Sequence, residues 1–287
     1  MAQSKTPNSR EKGRSKMEGK KLFAVVGSDP RQAAAGRALE KAGYAVGGAE
    51  QVPRADYILL PLPLDAEREG LAGLLRAAKP GALALGGKPS AAARGLAAGA
   101  GVELVDYFAR EELTILNAIP TAEGCIGILL AERPRTLWGS PVLVTGYGPV
   151  GQALAVRLTA LGAHVTVAAR RPDQRALAEA QGAKGVEIAR LEELAPGFDT
   201  VVNTVPAPVL TAAVLGRLPP ASLIVDLASK PGGTDFVAAA ALGHKAIHAL
   251  SLPGRCAPES AGEYVARAVL GILAGREGPA QTEEAEG

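Results

Sequence analysis

Aromatic side chains make up only 3% of this 287-residue chain, and it has one tryptophan and three histidines. Such a supply leaves little on which bases could stack, and the 31 basic residues nearly cancel against 29 acidic ones, for a net charge of +2. The basic residues are scattered except for one cluster in the N-terminal tail, so the footprint of a nucleic-acid binder is missing. Cysteine is scarcer still. Cys125 and Cys256 stand far apart, in neither a CxxC nor a Cys/His metal spacing, which predicts two buried free thiols in a reducing compartment and no metal site. His164, His244 and His248 start or flank strands and join no Ser/His/Asp arrangement, so hydrolase chemistry has no support. No apolar run reaches the ~18 residues of a membrane span, and no charged stretch leads into an apolar core as a secretion signal would. The expectation is a soluble cytoplasmic protein.

What the chain has in quantity is small and apolar residues: 47% hydrophobic, with 35 glycines and 21 prolines to make turns. Its length suits two modest domains. Residues 1–20 are polar and basic, too poor in apolar surface to offset their ordering entropy, and read as a disordered tail. From Lys21 on, short apolar runs alternate with helical stretches, in two series. The first has strands at 22–26, 57–60, 82–85 and 102–105, with helices at 32–42, 67–78 and 90–98 between them. Pro120 then opens a helix over 121–132, with Thr121 and Glu123 in its first turn. The second series has strands at 142–145, 164–168, near Val186, at 200–204, 223–226 and 246–250, with helices at 149–161, 173–181 and 207–217. A helix over 260–273 and a frayed acidic tail end the chain. Continuous apolar strands separated by helices signify a parallel sheet covered on both faces. The fold class is therefore α/β, two doubly wound parallel-sheet domains with a cleft between them. The first occupies 21–133, with the C-terminal helix 258–274 packing back on it; the second, 134–257, is a Rossmann NAD(P)-binding domain.

The strongest local signal is Gly146-Tyr147-Gly148-Pro149-Val150-Gly151, a GxGxxG between the strand Val142–Thr145 and a helix with apolar Leu154, Leu158 and Leu161. Gly146 permits the tight turn, Gly148 lets backbone approach a pyrophosphate, and Gly151 lets helix and strand pack closely. The helix start then offers amide hydrogens and a positive dipole end to phosphates. Beyond the next strand, where an acidic residue would select NAD(H), the chain has Ala168-Ala169-Arg170-Arg171 and no carboxylate until Asp173. Guanidinium groups there suit a 2′-phosphate, so NADP(H) is favoured over NAD(H); the competing role for Arg170 and Arg171 is to solvate the surface.

Ligands of such sheets sit beyond the carboxyl ends of the strands. Asn203-Thr204-Val205-Pro206 follows one strand and Asp226-Leu227-Ala228-Ser229-Lys230-Pro231-Gly232-Gly233-Thr234-Asp235 the next. Asn203, Thr204, Val205, Pro206, Asp226 and Ala228 join Gly146–Gly151, Ala169, Arg170 and Arg171 as cofactor-binding candidates. Asp226 has a turn-forming role as its alternative. Lys230 offers positive charge to an anionic substrate.

Several stretches carry a family resemblance. Asn117-Ala118-Ile119-Pro120-Thr121-Ala122-Glu123-Gly124, the segment Asp226–Phe236, and Leu252-Pro253-Gly254 with Ala257-Pro258 and Ala261-Gly262 are similar to stretches of the A chain of dipicolinate synthase. Gly27-Ser28-Asp29-Pro30-Arg31-Gln32 resembles that family's first strand–helix turn, with Ser28 where a second glycine is usual, and Arg110-Glu111-Glu112 resembles the stretch before Asn117. The likeness runs from about Lys21 to Leu273. It implies an oxidoreductase that forms dipicolinate, the calcium-binding acid of bacterial endospores, from a dihydro- or hydroxytetrahydropyridine dicarboxylate of the lysine pathway. It also implies a partner, the flavoprotein-like second subunit of dipicolinate synthase, in the mother-cell cytoplasm. With a dicarboxylate substrate in view, Arg31, Lys88, Arg110 and Arg255 become candidates for its carboxylates. Lys230, Ser229, Thr121 and Glu123 become candidates for ring contacts or proton handling, Glu123 alternatively serving only as a helix N-terminal charge. A homo-oligomer is expected. Two other functions stay open: a different two-domain NAD(P)-dependent dehydrogenase, and a non-catalytic cofactor-binding partner of the flavoprotein-like subunit.

Overall fold

The computed structural model of the protein describes residues 19–67 and 70–277. All but the last two residues of the tail at 1–20, and the acidic residues at the other end, lie outside the described residues. The chain divides into two compact units. One takes the described residues up to Leu113 and again from Pro258; the other runs from Thr114 to Ala257.

In the first unit β1 (Leu22–Val25), α1 (Pro30–Lys41), β2 (Ala45–Gly47), β3 (Tyr57–Leu59), α2 (Leu71–Arg76), β4 (Leu83–Gly86), α3 (Ala91–Gly99) and β5 (Glu103–Asp106) follow in sequence. The strands form one parallel sheet in the order β2-β1-β3-β4-β5. Successive strand residues alternate between two buried layers. Phe23, Leu59 and Leu85 meet Ala35 and Leu39 of α1; Ala24, Ile58 and Ala84 meet Leu71, Leu75, Ala93 and Ala97. Both faces are covered, so the strands read as unbroken apolar runs. Helix starts follow local chemistry: Asp29 accepts from the Arg31 amide with Pro30 in the first turn, and Ser90 accepts from the Ala93 amide. The short β2, Ala-Val-Gly, has too little apolar sequence to be read as a strand.

The second unit holds most of α4 (Glu111–Glu132), then β6 (Pro141–Thr145), α5 (Pro149–Ala160), β7 (His164–Ala169), α6 (Pro172–Ala180) and β8 (Lys184–Glu187). After these come α7 (Leu191–Leu194), β9 (Thr200–Asn203), α8 (Ala212–Leu215), β10 (Leu223–Asp226), α9 (Phe236–Ala241), β11 (Lys245–His248) and α10 (Leu252–Cys256). Six parallel strands pair in the order β11-β10-β9-β6-β7-β8, the doubly wound order of a Rossmann sheet. The last helix, α11 (Pro258–Glu277), belongs to the first unit, where Val265, Ala266, Val269 and Leu273 lie over Phe23 and Leu39.

Several expectations need correction. Pro120 does not open a helix: α4 begins at Glu111 and carries Pro120 in its interior. Proline there costs about 3 kcal/mol, but Ala118, Ala122, Cys125 and Leu129 form one fully buried stripe on both sides of it, and that burial outweighs the lost backbone bond. The division between units accordingly falls after Leu113 and not at 133. By length and composition α4 is apolar enough to cross a membrane, which the sequence broken at Pro120 concealed. The helix expected over 207–217 shrinks to α8. Pro206 and Pro208 precede it, and the amides of Val209 and Leu210 bond to the Gly233 carbonyl, holding that segment extended. Finally, only Cys125 is buried; Cys256 is exposed.

Candidate functional site

The second sheet reverses its direction of build between β6 and β9, so the loops leaving these two strands diverge and open a crevice at their carboxyl ends. The loop after β6 is the glycine turn. Gly146 has φ +89°, a backbone shape that side chains resist, and its amide donates to the Ala168 carbonyl. A Cβ on Gly151 would overlap the Gly146 carbonyl, so only glycine lets α5 start against the turn. Thr204, the first residue after β9, donates from both its amide and its hydroxyl to the Thr145 carbonyl, at 2.9 and 2.8 Å. The two loops are thereby stitched together at their roots. Between them lies a concavity of about 330 Å³ lined by Gly146, Gly148, Arg170, Thr204, Val205 and Pro206 among others. A Cβ at Gly148 would meet no protein atom, and the first amides of α5 have no acceptor within the helix.

Not every residue of the turn faces that space. Tyr147 is buried; its hydroxyl donates to Gln181 Oε1 at 2.6 Å, so only its backbone is available to a ligand. Gln152 and Gln174 donate from Nε2 to the Tyr147 carbonyl, and Arg175 Nη1 donates to the carbonyls of Ala169 and Arg170. These three bracing side chains escape a motif search because each lies about one turn inside a helix. The two arginines beyond β7 separate clearly. Arg171 is held by Asp173 through two hydrogen bonds, which push the arginine further up and hold the Asp173 carboxyl below its ordinary range. Arg170 lines the concavity, exposed and with no ion-pair partner among the described residues.

A row of polar residues crosses the carboxyl edge of the sheet in register: Thr145 opposite Asn203, Asn203 opposite Asp226, and Asp226 opposite His248. Asn203 and Asp226 are fully buried. Thr145 Oγ1 donates to Asn203 Oδ1 at 2.6 Å, and Asn203 Nδ2 donates to Asp226 Oδ1 at 2.9 Å. The same carboxylate accepts from the amides of Ala228 and Gly233, both at 2.9 Å. The side chains of Asn203 and Asp226 are thus consumed in shaping loops, not turned toward a ligand. Ala228 is buried too, whereas Ser229 and Lys230 are exposed.

The α4 candidates lie mid-helix. Thr121 donates its hydroxyl to the Asn117 carbonyl at 2.8 Å, and Glu123 forms an exposed ion pair with Arg157 at 3.6 Å, so neither is a helix-start residue. Arg255 is exposed in α10. In the first unit Arg31 is largely spent. It bonds Asp29 through Nε and Nη2 and the Leu62 carbonyl at 3.1 Å, and its guanidinium holds the Asp29 carboxyl below the usual range. Lys88 has its amine 4.5 Å above the Phe108 ring, and Arg110 is paired with Glu112.

Comparison with known proteins agrees with this geometry. Residues 130–229 match the D-isomer specific 2-hydroxyacid dehydrogenase, NAD binding domain family. The dipicolinate synthase A chain of Bacillus subtilis (strain 168) is 40% identical over 179 residues, 62% of this chain; the match spans 60% of that relative, less than two thirds of its length. The crystal structure of dipicolinate synthase, A chain, from Bacillus subtilis is 31% identical, with a TM-score of 0.80 over 92% of this chain and 99% of that one. The crystal structure of the corresponding dipicolinate synthase chain from Bacillus halodurans gives a TM-score of 0.81 at 29% identity, over 88% and 98% of the two chains. The glycine turn sits in a nicotinamide-type dinucleotide domain of the kind dehydrogenases use, and the likeness extends through both sheets; the protein belongs to the family of dipicolinate synthase A chains.

Proposed function

We propose that this chain oxidises a dihydropyridine dicarboxylate, or a hydroxytetrahydropyridine dicarboxylate once it has lost water, to dipicolinate with NADP⁺ as hydride acceptor, together with the flavoprotein-like second subunit, during endospore formation. The observation that carries the reading is the concavity between the Gly146 turn and the Thr204 loop, with Arg170, unpaired among the described residues, on its wall. Its residues fit a dinucleotide: glycine backbone where a diphosphate needs close approach, helix amides without acceptors, and a cation where a 2′-phosphate would lie.

Bound NADP⁺ supplies the acceptor for the hydride that leaves the dihydropyridine ring. The amides of Gly148, Val150 and Gly151 would hold the diphosphate, and Arg170 would bind the 2′-phosphate through charge-assisted bonds. Thr204, Val205 and Pro206 shape a wall of the concavity that the ribose and ring would meet. Lys230 holds a carboxylate of the substrate, and Ser229 beside it offers a hydroxyl to the ring or to the proton it releases. Glu123, tied to Arg157, and Thr121, tied to Asn117, are left with supporting parts. Of the three candidate cations in the first unit, Lys88 is the one not already paired with a carboxylate, since Arg31 and Arg110 hold Asp29 and Glu112.

The test is to titrate the purified chain with NADP(H), then incubate it with NADP⁺ and enzymatically generated dihydrodipicolinate while following the ultraviolet absorbance of the pyridine product. Binding followed by product formation is expected. Product only in the presence of the flavoprotein-like subunit would make this chain a cofactor-binding helper, and no nucleotide binding at saturation would end the redox reading.

A further inference from the structure

The loop between β10 and α9 is built like a bracket. The Asp226 carboxylate accepts the amides of Ala228 and Gly233 and so clamps both ends of the loop. Between the clamps, Gly232 donates its amide to the Ser229 carbonyl at 2.8 Å, closing a four-residue turn with Lys230 and Pro231 at its tip. One group in the bracket comes from a different strand. His248, the last residue of β11, lies in register with Asp226, and its Nε2 is 2.9 Å from the Ala228 carbonyl. A carbonyl can only accept, so Nε2 carries the proton. The ring is set from its other side by stacking on Phe236, with centroids 5.2 Å apart and planes inclined by 28°. Ala228 is therefore held at its amide by Asp226 and at its carbonyl by His248, directly before the turn that carries Lys230.

A lysine has a long, mobile side chain, and an exposed one serves as a geometric contact only if its backbone is held still. Asp226, itself held by Asn203 and through it by Thr145, does that at two amides, and His248 adds a hold on the Ala228 carbonyl. We propose that His248 is a positioning residue: by holding the Ala228 carbonyl it sets the turn that presents the Lys230 ammonium to a substrate carboxylate, without touching substrate itself. The inference rests on the proposed function, in which Lys230 meets that carboxylate.

The experiment is a double-mutant cycle in the full chain with its flavoprotein-like partner, reading NADP(H) affinity and pyridine formation. His248→Phe keeps a ring for Phe236 and removes the donor; His248→Gln places an amide near the position of Nε2. Losing one hydrogen bond that acts through Lys230 should lower kcat/KM about five- to tenfold in His248→Phe, with nucleotide Kd within about twofold, and His248→Gln should recover most of the loss. In a Lys230→Ala background, His248→Phe should have less than about a twofold effect, because nothing remains for it to position. Additive losses in the two backgrounds, or failure of His248→Gln to recover activity while its Tm matches wild type, would overturn the inference and leave the proposed function standing. A wild-type protein that binds no NADP(H), or forms no pyridine even with the flavoprotein-like partner, removes both.

Discussion

Replacing Arg170 by serine and, separately, Arg171 by serine divides two side chains that look equivalent in the sequence. Arg171 already has both arms of its fork on Asp173, and to bind a 2′-phosphate it would first have to break that pair. Arg170 has no such partner among the described residues and lines the concavity beside the glycine turn. A hydrogen bond to a charged group contributes about 1.5–3 kcal/mol, and solvent screening at an exposed residue lowers this to about 1–2 kcal/mol. Arg170→Ser should therefore weaken NADPH binding roughly five- to thirtyfold and leave NADH within about twofold, while Arg171→Ser changes neither by more than about twofold. Quenching of protein fluorescence or enhancement of nucleotide fluorescence, titrated at fixed ionic strength, reads all four affinities, and the NADPH advantage should shrink as salt is raised. Equal losses for NADPH and NADH in Arg170→Ser, or a wild-type chain that prefers NADH, would refute the assignment of a 2′-phosphate to this wall.

Two further outcomes follow from packing. A Cβ on Gly262 would lie 2.5 Å from Ala34 Cβ and the Arg31 carbonyl, so Gly262→Ala should cost about 1–3 kcal/mol and lower the Tm by several degrees; an unchanged melt would mean that α11 and α1 separate freely. Burial pushes the Cys125 thiol up to about 12, which favours its neutral form at all ordinary pH, whereas Cys256 is exposed. An aromatic disulfide reagent at pH 8 should therefore titrate one thiol in the native protein and the second only after denaturation, and two fast-reacting thiols in the native state would contradict the packing of α4.

The parts of the fold legible in the sequence are those set by chemistry within a few residues. The glycine turn, the caps at Asp29 and Ser90, and the apolar strands carry their own signals, because each is decided by backbone shape or by burial of a single run. Pro120 misled because its local preference for a helix start is real, and only the buried stripe of Ala118, Ala122, Cys125 and Leu129 overrides it. The site was legible in outline and not in its assignments. Asn203 and Asp226 sit at strand ends as ligand-facing residues would, but strand register brings them together across 23 positions and turns them on each other. Arg31 and Arg171 each lie two residues from an aspartate that takes them up, a spacing visible in the sequence and easily passed over.

The first unit is written in two pieces, with the whole second unit between them. Val265, Ala266, Val269 and Leu273 of α11 share with α1 the cover of one face of its sheet, so while the ribosome is still making the middle of the chain that face has only part of its cover. At about 5–20 residues per second the wait is on the order of ten seconds, and throughout it the Rossmann half can finish folding while Phe23, Leu59 and Leu85 have α1 but not α11 against them. The nascent first half is thus a natural client for a chaperone that grips exposed apolar strands, and a stop codon placed before Pro258 would leave a folded dinucleotide domain attached to an unfinished one.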